Sequence, residues 1–321
     1  MPLLFDMPLK QLKKYKGTNP RPADFDKFWD RGLAEMRKIN PKTELKRSEF
    51  QTPFADCFDM YFTGMGGARV HAKLLKPKKA ARKHPAVLMF HGYSGDCGDW
   101  TDNKLAYAAL GYTVAALDCR GQGGRSEDTG GVVGWTLRGH IIRGLDDKPE
   151  NLLFRQIFLD TAQMAKIVMD MPDVDTKRVG ATGGSQGGGL TLACASLEPR
   201  IKLVAPVFPF LCDYQRVWQI DLAKDAYEEL RDYFRHFDPL HKNEAGVFTK
   251  LGYVDAQFLA PRIRGEVMMG VGLMDTICPP SSQFAAYNKI KTKKSLVIYP
   301  DFGHEGLPGH QDKIFQFLAK L

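Results

Sequence analysis

The stretch Lys177–Gly189, KRVGATGGSQGGG, decides the fold. Val179 and Ala181 stand two apart, the spacing of strand residues that share one face. Gly183-Gly184-Ser185-Gln186-Gly187 then reads G-x-S-x-G, and Leu190–Cys194 continues as the start of a buried helix. Strand, tight turn and helix is the setting in which that pattern has a mechanism: the turn lifts a serine hydroxyl alone above the end of a sheet. Glycines on both sides let strand and helix approach without Cβ clashes. The Gln186 N–H falls at the helix N-terminus, where backbone donors lack intrahelical acceptors and can hold an oxyanion. Three fixed residues in a chain with 31 glycines carry little weight alone. The remaining chain must therefore supply a histidine, an acid and a second oxyanion donor in a workable order.

The chain has 321 residues, 44% hydrophobic and 26% charged, the balance of an ordinary globular protein. Its formal charge is +8, but the basic residues are scattered. The densest run, Lys76–Lys83, has no interleaved aromatic residue and reads as a solvated loop, which argues against a nucleic-acid partner. No stretch reaches the roughly 18 consecutive apolar residues of a membrane span. The opening residues carry no apolar core or small-residue cleavage site of a signal peptide. Six cysteines without C-x-x-C spacing read as free thiols of a cytoplasmic protein. No cofactor or metal site is expected. The segment HEGLPGH (304–310) has the wrong spacing for a zinc helix, and Pro308-Gly309 would break one.

Residues 1–40 form an N-terminal extension whose helix carries Phe25, Phe28, Trp29, Leu33 and Met36 on one face. Residues 43–75 predict two or three antiparallel strands with a turn at Gly64-Met65-Gly66-Gly67. Short apolar runs follow at 86–90, 112–117, 203–208, 267–272 and 296–299, without alternation, as in strands covered on both faces. A helical stripe, Ile157, Met164, Val168 and Met171, lies among them. Alternating strands and helices after an antiparallel start predict one mostly parallel α/β domain over 1–321. With G-x-S-x-G after about the fifth strand, this is an α/β-hydrolase architecture. Residues 213–260 predict a helical insertion between the sixth and seventh strands, over the active site.

The acid and histidine should follow the serine. Asp275 stands just past the run 267–272, and His304 just past 296–299. Loops at such strand ends converge on ligands in parallel sheets. Ser185 is thus the expected nucleophile, His304 the base and then acid, and Asp275 the residue that orients the imidazole. Asp213 is the rival acid, past the preceding strand. His91, His140 and His310 compete for the base role. The second oxyanion donor is expected in Phe90-His91-Gly92-Tyr93, at the Tyr93 N–H beside the Gln186 N–H. Tyr93, Phe210 and Ile277 are the expected walls of a small acyl pocket.

Together, RGQGG (120–124), GGSQGGG (183–189), GLMDTICPP (272–280) and HEG (304–306) resemble the acetyl xylan esterase/cephalosporin C deacetylase family, carbohydrate esterase family seven. PRPADFDKFW (20–29) and VFPFLCD (207–213) are also similar to it, so the resemblance spans nearly the whole chain. It implies deacetylation of short acetylated xylo-oligosaccharides and of cephalosporin C. It further implies an intracellular enzyme and a ring-shaped homohexamer with its sites facing an internal cavity. By the same resemblance, Arg120, Gly121, Gln122 and Glu305 form a supporting shell that steadies the His304 loop. Read from the residues alone, Arg120 is equally an ordinary surface arginine after a strand.

Overall fold

The computed structural model describes residues 5–321. Nine strands form one sheet: β1 (Glu44–Arg47), β2 (Ala55–Thr63), β3 (Arg69–Pro77), β4 (His84–Phe90), β5 (Thr113–Leu117), β6 (Val174–Gly184), β7 (Leu203–Val207), β8 (Glu266–Gly272) and β9 (Lys294–Tyr299). Their order is β1-β2-β3-β5-β4-β6-β7-β8-β9. The first three and the β3–β5 junction are antiparallel, and every pairing from β5 to β9 is parallel. The turn between β2 and β3 needs left-handed backbone at Gly66 and Gly67, with φ of 67° and 82°. All three antiparallel strands form, so the serine follows the sixth strand rather than the fifth. The insertion correspondingly falls between the seventh and eighth strands, one later than the count from sequence.

Burial explains the apolar runs. Every residue of β5 and β7 is buried, because helices cover both faces of the parallel part. The helix Leu153–Met169 is buried nearly all round rather than along one stripe. Its outer side is covered by the N-terminal helix Phe25–Lys38, whose five apolar residues named above are all buried. Trp29 stacks on Phe158 at 5.8 Å, and its indole N–H donates to the Tyr253 carbonyl at 2.9 Å. A second helix therefore covers the face opposite the apolar stripe. All six cysteines are free and buried. Among the described residues, no helix is long and apolar enough to cross a membrane.

Candidate active site

The turn after β6 is as tight as its glycines allow. Ser185 has φ +57° and ψ −120°, a strained conformation for a residue with a side chain. A Cβ on Gly187 would lie 2.1 Å from the Phe90 carbonyl oxygen, and one on Gly183 would lie 2.6 Å from the carbonyls of Phe90 and Gly187. Strand β4, the turn and the helix Gln186–Leu197 can pack only because those positions lack side chains.

The structure brings the three residues from separate strand ends into one row. Ser185 Oγ lies 2.9 Å from His304 Nε2, and His304 Nδ1 lies 2.9 Å from Asp275 Oδ2. Asp275 has no exposed surface. Its other oxygen, Oδ1, accepts the N–H groups of Ile277 (2.9 Å) and Cys278 (2.8 Å), and Gln283 donates to Oδ2 at 3.2 Å. A carboxylate accepting at Nδ1 keeps the imidazole proton there and leaves the Nε2 lone pair facing the serine. The Phe208 ring packs on the other side of His304, with centroids 4.5 Å apart.

The competing residues take no part in this row. Asp213 is fully buried and accepts Thr18 N, Asn19 N and the Tyr15 hydroxyl, so it anchors the N-terminal extension. His140 is buried, with Nε2 on Ser94 Oγ, and burial pushes its pKa down to about 4. His310 is buried as well, shifted to about 4 by the same cause. His91 is turned to a different task. Its Nε2 accepts the Cys119 N–H at 3.0 Å, so Nδ1 carries the proton and donates to the Gly92 carbonyl at 2.7 Å.

That carbonyl organises the second side of the site. Besides His91 it accepts Gly95 N (3.2 Å) and Gln186 Nε2 (3.4 Å). A trans peptide unit holds its C=O and N–H on opposite sides, so fixing the Gly92 oxygen fixes the Tyr93 N–H. Among the described residues, neither the Tyr93 N–H nor the Gln186 N–H finds an acceptor. Two unspent backbone donors beside Ser185 are what an oxyanion would require.

The expected supporting shell divides differently. Arg120 is no surface residue: it is fully buried and forms a two-pronged pair with Asp160, both contacts 2.7 Å, while also donating to the Met65 carbonyl. Gln122 and Gln186 exchange side-chain amide hydrogen bonds at 2.9 Å. The 120–122 segment therefore braces the Gln186 and Gly92 side, and its hydrogen bonds do not go to the His304 loop. Gly121 supplies a left-handed turn there, with φ 70°. Glu305 alone serves the His304 loop, accepting Gly303 N at 3.0 Å. Phe210 also needs correction as a pocket wall. It has no exposed surface and packs behind Tyr93 at 5.5 Å, whereas Tyr93 and Ile277 stay partly exposed. A side chain with no accessible surface cannot line an open cleft.

One residue had no signal in the sequence. Glu229, on the insertion helix Glu228–Phe237, is buried and accepts the Tyr93 hydroxyl. Nothing in the spacing of a charged helix points to a partner 136 residues away.

Among the described residues, two groups offer metal-ligating atoms within 4.8 Å of one another: His71, Cys97 and Asp118, and Asp275, Cys278 and His304. In each group both ring nitrogens of the histidine are already hydrogen-bonded. His71 bonds Asp118 (2.6 Å) and Asp59 (3.0 Å), and His304 bonds Asp275 and Ser185. Burial alone would raise Asp118, but His71 and the amides of Arg125 and Cys97 hold it well below the usual carboxylate range. The cavity beside the turn, about 280 Å³, is lined by His91, Lys104, Gly184, Phe208 and Gln311.

The acetyl xylan esterase family model, AXE1, matches residues 1–321, the whole chain. This chain belongs to the acetyl xylan esterase family. Acetyl xylan esterase 1 from Thermoanaerobacterium sp. JW/SL YS485 is 61% identical with a TM-score of 0.94, over 98% of this chain and 99% of that one. Acetyl xylan esterase from Paenibacillus sp. R4 is 35% identical with a TM-score of 0.90, over the same shares. Acetyl esterase Axe7A of Xylanibacter ruminicola is 28% identical over 292 residues, 89% of this chain. The chain spans 64% of that relative's length.

Proposed function

We propose that the protein is a serine esterase that removes acetyl groups from small O-acetylated sugars, through an acetyl-enzyme on Ser185. The observation that carries this is the Ser185–His304–Asp275 row beside two unspent amides. Ser185 Oγ attacks the acetyl carbonyl carbon as His304 Nε2, 2.9 Å away, takes its proton. The oxyanion is held by the Tyr93 and Gln186 N–H groups. As the intermediate collapses, the bond to the sugar oxygen breaks and the alcohol leaves with the proton from His304. Water, deprotonated by His304, then attacks the acetyl-enzyme, and acetate departs as Ser185 regains its proton. Asp275 stabilises the imidazolium in both halves.

Membership of the family and the names of its relatives support acetylated xylo-oligosaccharides as substrates, with cephalosporin C sharing the same leaving-group chemistry. The resemblance also supports a cytoplasmic homohexamer, which sedimentation of the purified protein tests. Ser185→Ala should lower kcat on p-nitrophenyl acetate by about 10⁴-fold or more. A fluorophosphonate probe should label the parent protein and not that variant. Near-normal turnover by Ser185→Ala would remove the proposal. A panel of acetylated xylo-oligosaccharides and cephalosporin C then separates the substrates.

A further inference from the structure

Glu229 stands in a setting that resembles that of Asp275. One oxygen, Oε2, accepts two consecutive backbone N–H groups, Ile141 at 2.6 Å and Ile142 at 3.0 Å. The other, Oε1, accepts the hydroxyl of an active-site residue, Tyr93. Asp275 likewise spends one oxygen on two consecutive amides and the other on His304. The helix that carries Glu229 is itself tied to the same loop. Arg138 pairs with Glu228 and Asp232, and the Tyr233 hydroxyl donates to Asp146. Tyr93 is held from its remaining sides by the Phe210 ring at 5.5 Å and the His140 ring at 5.0 Å.

We propose that Glu229 is a positioning residue of the acyl site: it holds Tyr93 through its hydroxyl and so sets which acyl chains fit beside Ser185. The proposal rests on the esterase reading above. The Tyr93 backbone is fixed through the Gly92 carbonyl, but its ring is a partly exposed lever on that backbone. The hydroxyl contact to Glu229 adds a polar tether to the packing of the ring on Phe210 and His140. Packing does not require a carboxylate there, because an acid taken out of water is costly unless its partners need it. Burial raises Glu229 to about 7, more than its hydrogen bonds lower it. The titratable and charged groups around it are the Tyr93 phenol, His140, Tyr214, and the exposed Arg138, Glu228 and Asp232. A group held at such expense beside a catalytic cleft is characteristic of a functional site.

The test is a double-mutant cycle on Tyr93→Phe and Glu229→Ala, with kcat/KM measured on p-nitrophenyl acetate and hexanoate. Each single variant should shift the acetate-to-hexanoate preference toward the longer chain by about tenfold, within the range a misplaced group costs. The double variant should match the single ones, because both remove one contact. Glu229→Gln keeps an acceptor for the hydroxyl and should restore most of the acetate preference. Where thermal melting shows that Glu229→Ala fails to fold, Tyr93→Phe, which removes the same contact from the other side, carries the test. Multiplying effects in the double variant, or an unchanged preference in folded Tyr93→Phe or Glu229→Ala, overturns the proposal. Ser185→Ala distinguishes the two levels: if it is inactive while the cycle is additive, only the role of Glu229 falls.

Discussion

Asp275 and Glu229 are two buried acids doing comparable work with different anchors. Asp275 takes its two amides from its own loop, two and three residues on, and hands its second oxygen to His304. Glu229 takes its amides from a loop 87 and 88 residues earlier and hands its second oxygen to Tyr93. The local anchor comes with the strand end that delivers the acid. The distant one depends on the insertion docking correctly. The proposed triad is thus built into the sheet rim, while the proposed acyl wall depends on the element that caps it.

Replacing the local acid should have the largest effect. Asp275→Asn keeps the shape but offers Nδ1 a donor in place of an acceptor, so kcat should fall by about 10⁴-fold, as judged from other triads. Stopped assays on p-nitrophenyl acetate check this, and a loss below tenfold would break the parallel with a catalytic acid. A third buried acid sharpens the contrast. Arg120→Ala strands the Asp160 carboxylate without its partner, which should cost about 3–5 kcal/mol in urea unfolding. Unchanged stability would mean that Asp160 is satisfied some other way.

The distant acid predicts a pH signature. Glu229 binds its proton more tightly folded than unfolded, since burial raises it from 4.5 to about 7. Its ionised form therefore destabilises the fold, a penalty absent at acid pH that grows between 4.5 and about 7 and is constant above. Relative to Glu229→Gln, the parent should lose about 2–3 kcal/mol of unfolding free energy between pH 5 and 8. A pH-independent difference would show that Glu229 carries no such cost. The smallest effect belongs to the exposed member of the His304 loop. Glu305→Ala removes one hydrogen bond to Gly303 N, costing about 1 kcal/mol or less and at most about fivefold in kcat. A thousandfold loss would move Glu305 into the same class as Asp275.

The sheet, the Ser185 turn and the residues placed at strand ends were legible along the chain. Apolar runs, the glycines around Ser185 and the order of serine, acid and histidine are local signals, and each reports a backbone constraint at its own position. Where side chains from distant segments meet is set by the packing of the folded chain. Arg120 reads as a surface residue until Asp160 is found against it, His91 as a rival base until Cys119 and Gly92 claim both its nitrogens, and Glu229 as a solvated helix charge until Tyr93 reaches it. The difference is one of range. Strand and turn propensities act between near neighbours, whereas a buried polar group is satisfied by whichever partner the packing delivers, and no spacing along the chain encodes that meeting.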